Sequence, residues 1–214
     1  MSDEEFDNDE DFDDFNGGIN FASVTYPIPV LLAGRNAVIG LSYQQRYDLT
    51  RAFDVGLINR VTTPVSIDST LTFDFDQEGA LGTITPAFAI EITDTLSIGA
   101  AVNFWRSSPF NDNGWEQEVN VRTKTIIGST GGPITQTTTR TTIEEYDDLR
   151  GENFTLGLMW NVNSKWNLAL RYDSAFTGDI DYKTSTVGSN IVTPVFAQEK
   201  REMSFPDSWT LATA

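Results

Sequence analysis

The chain has 214 residues, enough for one large β-domain or two small ones, and contains neither cysteine nor histidine. That excludes disulfides, thiolate chemistry, Ser-His-Asp and Cys-His catalysis and the usual imidazole metal sites, so neither an enzyme nor a cofactor is expected. With 31 acids against 14 bases the formal charge is −17, a field that repels phosphate backbones and argues against a nucleic-acid partner.

Residues 1–18 carry nine acids and no base, and read as a disordered or loop segment. Asp7-Asn8-Asp9-Glu10-Asp11 begins like a calcium loop, but Phe12 stands where that loop needs glycine for its sharp turn. The N-terminus has no basic flank and no apolar core of a secretion signal.

Ile19 to Tyr26 reads as a strand stopped by Pro27 and Pro29. Ala37 to Asp48 alternates more clearly. Ala37, Ile39, Leu41, Tyr43 and Tyr47 fall on one face, Gly40, Ser42, Gln44, Arg46 and Asp48 on the other. Leu49 to Gly79 is rich in Thr, Ser and Asp and reads as a long loop with strand extensions.

Ala80 to Arg106 is a hairpin turned at Thr93-Asp94. Its apolar face holds Ile84, Pro86, Phe88, Ile90 and Ile92, then Leu96, Ile98, Ala100, Val102 and Phe104. Ser97, Gly99, Ala101, Asn103 and Trp105 oppose them. Small residues there either leave room for a lumen or relieve crowding in a twisted sheet. Residues 107–150 form a polar, threonine-rich excursion, in which Glu116 to Ile127 and Ile134 to Ile143 read as the arms of a protruding ribbon turned at Ser129-Thr130-Gly131-Gly132-Pro133.

Phe154 to Asp173 repeats the hairpin pattern around Asn163-Ser164-Lys165. Phe154, Leu156, Leu158, Trp160, Leu168, Leu170 and Tyr172 share the apolar face, while Asn161 and Arg171 lie opposite. A helix would scatter these apolar residues round its cylinder. Thr177 to Gln198 is another polar excursion, and a last strand begins at Trp209.

No apolar run approaches the roughly 18 residues of a spanning helix. Each strand of the Phe154 hairpin nevertheless has about the 9–11 residues that a tilted strand needs to cross a bilayer. Short turns alternate with long excursions, as the short periplasmic turns and long extracellular loops of outer-membrane barrels do. The expectation is an all-β, antiparallel, up-and-down transmembrane β-barrel, partial, with roughly eight to ten strands of a larger barrel over residues 19–214. Trp160 and Trp166 beside the short turn are either girdle residues or cross-strand packing pairs.

Several stretches resemble the FadL family of outer-membrane transport proteins. They are Leu81-Gly82-Thr83-Ile84-Thr85-Pro86-Ala87-Phe88, Leu96 to Asn103, Asn153 to Tyr172, and Phe205-Pro206-Asp207-Ser208-Trp209-Thr210-Leu211. The resemblance implies a fourteen-stranded barrel with an N-terminal hatch, a bacterial outer-membrane location, and passive transport of long-chain fatty acids or other hydrophobic compounds. Its partners would be outer-membrane lipid and an apolar ligand such as a fatty acid. The hatch and its Asn-Pro-Ala segment have no counterpart here, and the strands are too few, so the chain is expected to be a fragment of such a transporter. Arg46, Arg171 and Asn161 are the candidate lumen residues for ligand. Either arginine can meet a carboxylate, or pair with lumen acids such as Asp48 and Asp173. A porin-like or structural barrel, and a soluble β-rich binding or adhesive domain, are the alternative readings.

Overall fold

A computed structural model describes residues 19–29, 31–32, 34–61, 66–128, 132–191 and 193–214. The acidic residues 1–18, with their calcium-like stretch, and residues 129–131 of the expected ribbon turn lie outside these. The described residues form eleven strands and no helix: β1 (Phe21–Pro27), β2 (Ala37–Asp48), β3 (Arg51–Val61), β4 (Ile67–Thr93), β5 (Leu96–Trp105), β6 (Gly114–Ile127), β7 (Ile134–Asn163), β8 (Trp166–Asp173), β9 (Phe176–Gly188), β10 (Val195–Phe205) and β11 (Ser208–Thr213). Every pairing is antiparallel.

Two long strands, β4 with 27 residues and β7 with 30, tie the molecule together. The C-terminal half of β4 pairs with β2 and β5, and its N-terminal half with β3 and β6. Likewise β7 pairs with β6 and β9 in its first half and with β5 and β8 in its second. The result is one sheet in two tiers. The lower tier runs β1-β2-β4-β5-β7-β8-β11 and ends at the short turns after Thr93 and Asn163. The upper tier runs β3-β4-β6-β7-β9-β10.

This corrects the loop assignments made from the sequence. Leu49–Gly79 was expected as a long loop with strand extensions and Thr177–Gln198 as a polar excursion, yet β3, β9, β10 and the first half of β4 are full ladders of the upper tier. Within residues 107–150 the two arms of the expected ribbon do pair, as β6 with the first part of β7. The 107–150 stretch is no free-standing ribbon, because β6 also pairs with β4 and β7 with β9. Both faces of these strands carry polar residues, so they lack the alternation that marks a half-buried strand.

The sheet is strongly curled. Tyr47 on β2 and Phe205 on β10 lie five interstrand steps apart, roughly 24 Å along a sheet with about 4.8 Å between strands. Their ring centroids are nevertheless 6.0 Å apart. The buried cluster of Leu81, Trp105, Leu149 and Ile180 sits on this concave side, where the tiers meet, with Trp115, Phe176, Met203 and Phe205 packed against it.

On the convex side of the lower tier the pattern is apolar and exposed: Leu41, Phe88, Ile98, Leu156, Leu158 and Leu170 all face outward, and Leu211 is 72% exposed. The concave side of the same strands carries Thr83, Thr85, Asn103, Thr155, Arg171 and Asp173. At the margins, β1 pairs only with β2 and β11 only with β8 among the described residues, and both strands run toward the short-turn end.

Candidate functional site

The concave face of the lower tier is built in three layers. The first is made by a bulge in β2. Gln45 pairs with Gly82 and Tyr47 with Leu81, leaving Arg46 as the extra residue. Arg46 and Tyr47 therefore both turn to the concave face. The sequence placed Tyr47 with the outward apolar residues and Asp48 inward; the bulge reverses both.

Arg46 starts a polar row that crosses five strands. Its Nη2 donates to Asn103 Oδ1 at 3.1 Å and its Nε reaches Thr83 Oγ1 at 3.4 Å. The Thr85 hydroxyl donates to the same Asn103 oxygen at 2.9 Å. Asn103 Nδ2 donates to Thr155 Oγ1 at 2.8 Å, and Thr155 donates to Asp173. Arg171 closes the row with two bonds of 2.8 Å, Nε to Oδ2 and Nη2 to Oδ1 of Asp173. Thr83 and Asn103 are each 1% exposed, so the row is a built feature of the wall.

The two arginines differ in what holds them. Arg171 is neutralised by the bidentate carboxylate of Asp173, as one of the sequence alternatives had it. Arg46 makes no ion pair among the described residues; its partners are a neutral amide and a neutral hydroxyl. Asp48, its proposed partner, instead accepts from the Thr50 backbone N–H at 3.0 Å. Asn161 shares the concave face of β7 but lies six residues beyond Thr155, roughly 20 Å along the strand, and does not join the row. The sequence missed Thr83, Thr85, Asn103 and Thr155. Their signal was inward parity at neutral polar residues.

Toward the short turns the second layer is a floor of small residues. Gly40, Ala87, Ala89, Gly99, Ala101 and Gly157 line a groove of about 300 Å³. No heavy atom lies within 4 Å of where a Gly157 Cβ would stand.

Toward the upper tier the third layer is aromatic. Phe176 and Phe205 stack at 4.6 Å with their planes 2° apart, Trp105 lies 5.0 and 5.6 Å from them, and Tyr47 lies 6.0 Å from Trp105. Gly151 is required beneath them, because a Cβ there would lie 2.8 Å from the Phe176 ring.

The convex side of the upper tier is acidic. Asp76, Glu78, Glu116, Glu118, Glu145 and Asp147 line a cavity of about 800 Å³. Lys183 reaches Glu145 at 3.2 Å and Asp147 at 2.7 Å. Burial first, then the surrounding carboxylates, push the Glu116 carboxyl above its ordinary range. Among the described residues no group of His, Cys, Asp and Glu is arranged to hold a metal ion.

No protein-family model matches the chain, and no curated protein matches it.

Proposed function

We propose that the lower tier is part of the wall of a transmembrane β-barrel, and that the chain is a fragment of a FadL-type bacterial outer-membrane transporter. It passes long-chain fatty acids or other hydrophobic compounds passively along its concave face. One observation carries this reading: an apolar, exposed convex surface backed, on the same strands, by a polar concave one. Lipid demands the first and a lumen tolerates the second. The β2, β5 and β8 strands have 12, 10 and 8 residues, close to the roughly 9–11 that span the hydrocarbon layer when tilted. Trp160 and Trp166 at the short-turn end are placed for an interfacial girdle.

In this reading Arg46 receives the carboxylate of an amphiphilic ligand while the floor of small residues accommodates its tail. Arg171 takes no part in charge recognition, because Asp173 already occupies both arms of its guanidinium. Arginine forms its strongest contacts as a fork to carboxylate, so a ligand carboxylate is a better partner for Arg46 than its present neutral acceptors.

The test uses two adjacent residues on opposite faces, Ala100 on the convex side and Ala101 on the concave. Ala100→Arg loses co-flotation with lipid vesicles, at a cost of about 2–4 kcal/mol for a charge near the bilayer midplane. Ala101→Arg retains it. Equal behaviour of the two variants, or a wild type that stays monodisperse in plain buffer, refutes the membrane reading.

A further inference from the structure

On the convex side, polarity changes at one height across four strands. Tyr43 of β2, Ile84 of β4 and Phe104 of β5 pair in a row and close the apolar surface, as Phe154 does on β7. The convex positions just above are Gln45, Gly82, Arg106 and Glu152. Arg106 lays its guanidinium over the Phe104 ring at 5.2 Å and pairs with Glu152 at 3.3 Å. Higher still, the convex positions of β4 are Glu78, Asp76 and Asp74, and its apolar residues have changed sides. Leu71, Phe73 and Phe75 fall on the concave parity, where Phe75 lies 5.0 Å from Phe53.

The strap 106–113 between β5 and β6 folds back over this line. Ser108 and Asn111 close it with backbone bonds of 2.8 and 3.3 Å, and Asn111 Nδ2 donates to the Ala80 carbonyl at 3.0 Å. Phe110 rests on Tyr43 with 5.0 Å between ring centroids, which puts it on the convex side. Tyr43 is 6% exposed beneath it, whereas Phe110 itself is 47% exposed. The strap's Asn111 and Asp112 rim the acidic cavity together with Glu78 and Glu116. Phe110 therefore stands between the apolar rows and the carboxylates.

Taking the membrane reading as premise, we infer that the tier junction is a water–hydrocarbon boundary, anchored by Phe110 and Arg106, and that the upper tier stands clear of lipid. Carboxylates on a convex surface are costly in hydrocarbon, so the lipid layer ends below Glu78. A half-exposed ring held against the wall suits the head-group level, where aromatic girdles sit. Arg106, with its stem along a ring and its charge paired, suits the same level. From Ile84 to Ile92 the apolar side of β4 covers eight residue steps. That is about 26 Å along the strand and roughly 20 Å of height at the usual barrel tilt, within about 5 Å of the apolar band of such barrels. Trp160 and Trp166 mark the opposite edge of the belt.

The chain has no cysteine, so a single introduced thiol carries a fluorophore to a chosen height. The test attaches NBD to Ala100→Cys in the apolar rows, Phe110→Cys on the strap and Asp74→Cys above it. Each full-length variant is placed in phosphatidylcholine bicelles, a readout that needs lipid contact and no closed barrel. The quenchers are phosphatidylcholine with a nitroxide near the acyl-chain end, the same lipid with a nitroxide near the head group, and iodide in the water. The Ala100→Cys label loses most fluorescence to the deep nitroxide, the Phe110→Cys label to the shallow one, and the Asp74→Cys label to iodide alone. Pro109→Cys, beside Phe110 on the strap, carries the middle position if Phe110→Cys does not fold. An Asp74→Cys label quenched by either nitroxide as strongly as the Ala100→Cys label, or a strap label that only iodide quenches, overturns the boundary. An Ala100→Cys label that neither nitroxide quenches overturns the membrane premise and the boundary with it.

Discussion

Replacing Asn113 by alanine should be among the most damaging single changes in the protein. At this point β4 exchanges one partner for another. Its Thr83 still pairs with Trp105 of β5, its Ala80 already with Gly114 of β6, and the backbone between needs a substitute. Asn113 supplies it. Its Oδ1 accepts from the Gly82 N–H at 2.6 Å and its Nδ2 donates to the Leu149 carbonyl at 3.2 Å, with the residue 0% exposed. Its φ of 55° lies in the left-handed region that asparagine tolerates better than most residues. Alanine leaves two buried backbone groups without partners, about 1–3 kcal/mol each. It also incurs roughly 1–2 kcal/mol for the left-handed backbone. The expected loss is about 3–8 kcal/mol, and Asn113→Gly should recover only the backbone part, roughly 1–2 kcal/mol. Urea titration of the full chain in micelles, followed by tryptophan fluorescence, measures both. An alanine variant within about 0.5 kcal/mol of wild type would refute the claim that this side chain completes the ladder.

Other predictions concern the concave row and the acidic face. Gly151→Ala drives a methyl group into the Phe176 ring and should cost about 1–3 kcal/mol in the same titration; an unchanged midpoint would show that the ring layer is loose. Arg46→Gln should weaken octanoate binding about tenfold in titration calorimetry, the loss of one charge-assisted contact, while Asp173→Asn frees Arg171 and tightens it. Octanoate binding unaffected by Arg46→Gln would remove that residue from recognition. Glu116 binds its proton more readily folded than unfolded, so stability should rise as pH falls through the interval just above the ordinary glutamate range. Glu116→Gln should flatten that rise and stabilise the fold at neutral pH, and parallel stability–pH curves for the two proteins would contradict this. Asp148, held below its ordinary range by Arg150, contributes stability that is present above the ordinary aspartate range and lost only at more acid pH, so the two effects occupy separate windows.

The hairpins at Ala80 to Arg106 and Phe154 to Asp173 were legible in the sequence because one face of each is apolar throughout. Parity alone then placed Asn103, Arg171 and Trp105 on the opposite face, where they lie. Of the upper tier only the pairing of Glu116–Ile127 with Ile134–Ile143 was legible, from the turn residues between them; its incorporation into the sheet was not. In residues 134–147 the polar residues fall on both faces, and period-two alternation has nothing to contrast. Tyr47 was misplaced because the bulge at Arg46 has no side-chain signature; only the pairing of Gln45 with Gly82 and Tyr47 with Leu81 reveals it. The polar row and the aromatic layer each gather residues from four or more strands. Their assembly follows from register and curl, which are long-range properties that no local pattern encodes.

The direction of the two margins has a consequence for what can complete the sheet. Strand β1 runs from its pairing with Gln44 toward Val38, and β11 from Asp173 toward Leu168, so both descend to the short-turn end. A second copy related by a twofold axis along the strands would therefore set β1 beside β11 in parallel, breaking the antiparallel rule kept by every other pair. Only a meander with an odd number of strands can meet both margins antiparallel. If the sheet closes into a barrel, as the transport reading requires, whatever completes it must present an odd number of antiparallel strands between β11 and β1.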